Sequence, residues 1–424
     1  MLLTPQQQRI FDIAVTGHNA CILGRAGVGK SVLVNEIVRE LERQEYKVRL
    51  VCSSGIACEG FEGKAATVHS QYGLQTAELP ANRLIERSLG RENVVKELRE
   101  CDVLIWDEIS MSSERLFNIT NIINQKIKDN NFGFGGIQVI LVGDFWQLKP
   151  IANAFDDGVP VYESKLFNTV FPHRYELTTI LRQEESEVRL KNALDEIRMG
   201  KCDNETEAYL MSLSRECTGF DPNEPPLHIY FKRLNVDVHN AEVLASLDGE
   251  KVTFESLDMG NAKLLDKTID QVLSLKPGCR VMLQFNINAQ LKNGSCGTFV
   301  GIQTENSGND GRLLVRFPRV GNVPLDRKTW YKYDKDCSIL ATRTQYPLSL
   351  CYAITVHKAQ GLTIDKTVVV HCSQEFIAGQ TYVALSRVKG EATLQVLGFR
   401  KRFLLSPPST LSAIISSSEG EEET

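Results

Sequence analysis

The stretch GRAGVGKS, Gly24 to Ser31, constrains this chain more than any other. It follows the apolar run Ala20-Cys21-Ile22-Leu23. It opens a segment whose apolar residues, Leu33, Val34, Ile37, Val38 and Leu41, recur at the spacing of one helix face. A glycine turn between a buried strand and a helix aims backbone N–H groups, the positive helix end and a lysine at one point. That is a phosphate cradle. Gly24, Gly27 and Gly29 leave the backbone open, Lys30 reaches the β and γ phosphates, and Ser31 ligates Mg²⁺. Strands that feed helices in this way belong in a mostly parallel α/β sheet covered on both faces.

Other segments extend the pattern. KVRLVCSS, CDVLIWDE and IQVILVGD read as further strands of the same sheet. In VLIWDEIS the carboxylates Asp107 and Glu108 follow four apolar residues. Asp107 suits the Mg²⁺ shell, and Glu108 suits orienting and deprotonating an attacking water. GDFWQLKP, Gly143 to Pro150, ends another apolar run. Gln147 is long enough to meet a γ-phosphate. Phe145 and Trp146 admit two readings at this point: flat faces on which nucleobases stack, or ordinary core.

Beyond PNEPP at 222–226 a second strand–helix series begins with LHIYFKR. It is interrupted between about Lys276 and Arg343 by short strands with glycine turns, the signature of a small barrel. It resumes with KTVVVHC and GQTYVALSRV. The tail SPPSTLSAIISSSEGEEET is Ser-rich and ends acidic, a composition expected to be disordered.

Composition excludes several classes. With 424 residues, 42% of them apolar, the chain can build more than one core. The net charge of -5 argues against coating nucleic acid through bulk charge, so phosphate contacts must be local. No apolar stretch approaches the ~20 residues of a membrane span. Eleven cysteines, without a C-x-x-C pair, read as reduced, mostly buried thiols in a soluble protein of a reducing compartment. Arg182 in LTTILRQ and Arg387 in TYVALSRVKG could stabilise charge on a transferring phosphoryl group. ITVHKAQGLTID, with His357 and Lys358, and ATVHSQYG, with Thr67 and His69, have the polar, basic texture of phosphate-backbone contacts.

Taken in order from about Leu3 to Phe399, these motifs resemble the Pif-type (petite integration frequency) DNA helicases of helicase superfamily one, branch B. LTPQQQRIFDIA is similar to the family's Q motif, which implies that Gln7 meets the adenine edge. FGGIQ followed by GDFWQL is the most specific match. Lys149 stands where a proline is usual, and Ala359 where a serine is common. The resemblance implies two RecA-like domains, at 1–185 and at 186–287 with 344–405. A wedge insertion at about 70–98, an SH3-like β-barrel at 288–343 and a disordered acidic tail at 406–424 complete the expected organisation. It implies ATP and Mg²⁺ as cofactors, single-stranded and forked DNA as partners, and a monomer in isolation. Gln147, Arg182 and Arg387 are then the γ-phosphate contacts, the arginines facing each other across an interdomain cleft. Thr67, His69, Phe145, Trp146, His357, Lys358 and Tyr382 are the strand contacts. Two alternatives stay open: an RNA-directed motor, and an ATPase that switches its grip without unwinding.

Overall fold

The structure, a computed structural model, describes residues 3–61, 63–75, 77–182, 186–217, 224–288, 290–303, 311–334, 336–411 and 414. The first domain opens with helix α1 (Pro5–Val15). Its N-terminus is closed by a capping box in which Thr4 and Gln7 satisfy each other's backbone N–H groups. Strands β1 (Ala20–Gly24), β2 (Val48–Cys52), β3 (Ala65–Thr67), β4 (Val103–Asp107), β5 (Gln138–Gly143) and β6 (Arg174–Leu177) form one parallel sheet, ordered β3-β2-β4-β5-β1-β6. Between them run α2 (Lys30–Arg43), the single turn α3 (Val68–Gln71), the pair α4 (Ala81–Leu89) and α5 (Glu92–Glu100), and α6 (Glu114–Lys128). The expected wedge segment, about 70–98, is thus built mainly of the helices α4 and α5.

Both faces of this sheet are covered, and its inner strands β1, β4 and β5 read as nearly continuous apolar runs for that reason. Ile22, Ile105, Ile140 and Val142 face a core with Leu33, Val34, Ile37 and Val38 of α2. Leu23, Leu104, Trp106 and Leu141 face the opposite core with Phe117 of α6. Trp106 is fully buried, and its indole N–H donates to Ser53 Oγ at 3.0 Å, which removes the cost of hiding that donor. The order places β5 between β4 and β1, so the segments after β1, β4 and β5 emerge side by side at one edge.

The second domain starts with α7 (Val188–Arg198), continues through β7 (Leu227–Tyr230) and α8 (Arg233–Ser246), and resumes with β8 (Ala353–Thr355), the single turn α9 (Val356–Ala359), β9 (Val368–His371), α10 (Gln380–Leu385) and β10 (Leu394–Leu397). Its parallel sheet has the order β8-β7-β9-β10. Asn240 of α8 ties the two halves of this interrupted domain together. Its side-chain oxygen accepts from the N–H groups of Tyr352 and Ala353 at 3.0 and 2.9 Å.

Two expected boundaries move. The antiparallel insertion was expected from 288. Its strands instead begin at Val252–Glu255 and run to Leu348–Leu350, in sheets of five, three and two strands. Four-residue strands such as Val252–Glu255 and Val272–Leu275 hold too few alternations to declare their sheet. Pairing with each other, far apart in sequence, assigns them. The second is the tail, expected to be disordered from 406. Residues 406–411 and 414 are described, and Leu411 and Ile414 are buried against the first domain's core. The acidic end lies outside the described residues.

A ring stack beside α8 gives the second domain an acid-sensitive point. His228 Nδ1 lies 2.9 Å from His371 Nε2, and the Tyr230 hydroxyl lies 3.2 Å from Nδ1 of His239 on α8. Burial, then the neighbouring imidazoles, pushes His228 down to about 3; burial, then His239, pushes His371 down to about 4. Both rings are neutral in the fold but take up protons at about 6.5 once unfolded, so stability is lost as the pH falls from about 6.5 toward 4. The thermal midpoint should drop between about pH 7 and pH 5, and His228→Gln should flatten that slope. An unchanged slope in the variant would remove His228 as the cause.

Candidate active site and strand groove

The loop from Gly24 to Ser31 turns tightly between β1 and α2. Gly29 has φ +79, and a Cβ there would come within 2.8 Å of the Gln7 amide nitrogen. Only glycine allows both. The Gln7 amide donates to the carbonyls of Val28 and Gly29 at 3.3 and 3.4 Å, so α1 braces the loop from outside. The Lys30 ammonium donates to Gly24 and Arg25 carbonyls at 2.7 and 3.0 Å. Burial lowers its proton affinity, and the carboxylates Asp144, Glu108 and Asp107 oppose that. Three carboxylates thus lie within electrostatic reach of one lysine.

Asp107 ends β4. Burial, then repulsion from Glu108, pushes it up to about 7. A divalent cation would reverse this shift, because it supplies the opposite charge that the buried pair lacks. Glu108 sits at φ 53, ψ 44, the left-handed region. Such a residue stores about 1–3 kcal/mol of strain and clusters at functional sites. Gln147 is 5% exposed, and its side-chain oxygen has no partner among the described residues. The open glycine backbone, Lys30, Ser31, Asp107 and this unpaired acceptor fit a nucleoside triphosphate with a divalent cation. Lys30 and the loop would hold the phosphates, Ser31 and Asp107 the cation.

The second domain closes this cleft. Arg182, from the first domain, donates to the Ser386 carbonyl at 2.7 Å. Arg387 is buried beside it, held by carbonyls of Val383 and Leu362 and by Ser386 Oγ. Burial and the charge of Arg387 bring Arg182 down to about 10. Two guanidiniums from opposite domains therefore face one site, the arrangement that a concentrated anionic charge would relieve.

Asp144 is a hub that sequence reading left without a role. Burial would raise its pKa, but Arg198 and Lys30 outweigh burial and hold it below the usual carboxylate range. Arg198 of α7 donates to its Oδ1 at 3.0 Å, and the Tyr382 hydroxyl of α10 donates to Oδ2 at 2.9 Å. The same hydroxyl accepts from the N–H of Ala26 in the phosphate loop at 2.8 Å. One buried carboxylate thereby joins the phosphate loop, the Gln147 segment and the second domain. Arg198 had no local signal, since it ends an amphipathic helix and its partner lies far upstream.

Three expected strand contacts fall elsewhere. Tyr382 is 2% exposed and belongs to the nucleotide side through the bonds just given. Phe145 is packed edge-on against Tyr162 and Phe167 at 5.0 and 5.9 Å in the first core. Trp146 is 5% exposed, and the Arg198 guanidinium lies 4.2 Å from its ring centre. Neither face is open to a base. The segment after β5 dives back under the second domain, because Gly379 brings α10 against the Trp146 carbonyl.

The remaining four sit at two single-turn helices, one in each domain. Thr67 caps α3, and Thr355 caps α9. His69 is half-buried, and burial brings it down to about 4. His357 and Lys358 line a cleft of about 740 Å³ with Arg233, Gln284 and Thr355. Gln284 accepts from Lys358 Nζ at 2.8 Å, and Asn286 donates to Thr67 Oγ1 at 3.4 Å. One segment of the β insertion therefore touches both turns. Nothing local in QFN announces that role.

Two parallel-sheet domains sharing a phosphate-loop cleft, with an arginine from each and a polar groove across the same pair, define a nucleotide-driven motor of the helicase class. A family model described as PIF1-like helicase matches residues 2–208. The ATP-dependent DNA helicase Pif1 of Bdellovibrio bacteriovorus is 31% identical over 421 residues, covering 96% of this chain and 91% of that one. The chain belongs to the PIF1-like helicase family. It spans 62% of the longer relative from Emericella nidulans, at 30% identity. Among solved structures, Pif1 helicase from Candida albicans matches with TM-score 0.86 and 31% identity, over 99% of this chain and 100% of that one. Bacteroides Pif1 bound to ssDNA matches with TM-score 0.81 and 27% identity, over 99% of this chain and 98% of that one. Unliganded Pif1 from Bacteroides matches with TM-score 0.60 at 26% identity.

Proposed function

We propose that this chain is an ATP-driven DNA helicase that moves 5′ to 3′ along single-stranded DNA and opens duplexes at forks, with Mg²⁺ accompanying the nucleotide. Family membership supports the helicase activity. The single observation that carries the strand-bound reading is the domain arrangement. It agrees with Bacteroides Pif1 bound to ssDNA at 0.81 and with the unliganded form at 0.60. In this reading Lys30, Ser31 and Asp107 hold the nucleotide and its cation, and Glu108 takes the proton of the attacking water. Gln147, Arg182 and Arg387 meet the γ-phosphate, so that ATP draws the domains together. Thr67 and His69 on one domain, His357 and Lys358 on the other, alternate in holding the strand.

Among the described residues no helix is long and apolar enough to cross a membrane. A forked duplex with both tails, mixed with enzyme, ATP and Mg²⁺, is expected to separate, and chelation of the cation should stop it. ATP turnover stimulated by single-stranded DNA without strand separation would mark a grip-switching ATPase instead.

A further inference from the structure

Gln360 has no part in the roles above, yet it spans the domain boundary. It is 1% exposed and follows α9, the turn that carries His357 and Lys358. Its amide nitrogen donates to Glu108 Oε2 at 3.2 Å and to Ser110 Oγ at 3.1 Å. The backbone is committed to this approach. Gly361 has φ +84, and a Cβ there would lie 3.3 Å from the Ala57 side chain of the first domain. The same short segment thus carries a strand-groove face, at His357 and Lys358, and a single donor aimed at the carboxylate read as the base.

We propose that Gln360 is a positioning residue that transmits strand engagement to hydrolysis. When α9 takes its place against the strand, the amide arrives at Glu108 and fixes its carboxylate, which otherwise rests on a left-handed backbone with two adjacent acids competing for one space. Held at Oε2, the carboxylate has one rotation, and the water it must deprotonate has one approach. Without the second domain in register, the donor is withdrawn and the carboxylate is free to turn. This is how turnover would come to depend on the polymer through a segment that carries His357 and Lys358 on one side and a donor to Glu108 on the other. The inference rests on Glu108 being the base, and that reading has its own test, turnover by Glu108→Gln.

The test is Gln360→Met, which keeps the side chain's length and bulk and removes the donor. ATP turnover is measured against increasing oligo(dT), with strand affinity from fluorescence anisotropy and KM for ATP from the same titrations. Turnover at saturating strand should fall about tenfold or more, the scale of a lost hydrogen bond to a charged group, with KM and strand affinity within about threefold of wild type. Ser110→Ala loosens the same amide from the first domain and should lower strand-saturated turnover in the same direction by about twofold to fivefold; it carries the test if the Met variant does not fold. Strand-saturated turnover within twofold of wild type in Gln360→Met would reduce Gln360 to packing. A loss of strand affinity as large as the loss of turnover would make it part of the strand grip. Either result overturns the proposal.

Discussion

Glu108→Gln is expected to bind ATP and fail to hydrolyse it. The substitution is isosteric and leaves the glycine loop, Lys30, Ser31 and Asp107 intact. What it removes, on the proposed assignment, is the group that accepts the water's proton, an effect worth ~10²–10⁴ in rate for a positioned base. Binding should hold or tighten, because Glu108 repels Asp107 and contributes to pushing it up to about 7. With that neighbour neutral, Asp107 ionises more readily and serves a cation better. Lys30→Ala should also abolish turnover but by a different route, losing nucleotide affinity as well. The pair is read by steady-state turnover on saturating single-stranded DNA together with equilibrium binding of a fluorescent ATP analogue. Near-wild-type turnover by Glu108→Gln would move the base elsewhere.

A duplex with only a 5′ single-stranded tail should unwind, and its 3′-tailed twin should not. Direction follows from which domain holds the strand when ATP closes the cleft. The Thr67 and His69 turn belongs to the domain with the phosphate loop; the His357 and Lys358 turn belongs to the domain with Arg387. In the proposed cycle, closure draws one grip toward the other, and release must let go of the opposite one. The order in which the two weaken sets the polarity, and a motor of fixed order has a single loading end. Because of this, the expected contrast is all-or-none rather than a bias. Unwinding of the 3′-tailed substrate at the rate of the 5′-tailed one, in ATP and Mg²⁺, would overturn the assigned order of grips.

The nucleotide half of the candidate site could be read from the sequence because its parts are local. GRAGVGKS needs only a strand before it and a helix after it to become a phosphate cradle, and both are written in adjacent apolar patterns. Asp107 and Glu108 follow their strand directly, and a parallel sheet delivers all such strand ends to one edge. Gln147 was placed near the same edge for the same reason, with β5 lying between β4 and β1.

What only the tertiary structure decided depends on partners distant in sequence. Phe145, Trp146 and Tyr382 carry no mark that separates a base-stacking ring from a buried one; their neighbours, Tyr162, Phe167, Arg198 and Asp144, decide it. The β insertion begins near Val252 because four-residue strands acquire a sheet only through pairing. Arg198 and Gln360 matter through contacts with Asp144 and Glu108 that are formed when two domains meet. A motif encodes backbone geometry within a few residues. A hydrogen bond across a domain boundary is encoded only in the packing of everything between, and no stretch of sequence holds that by itself.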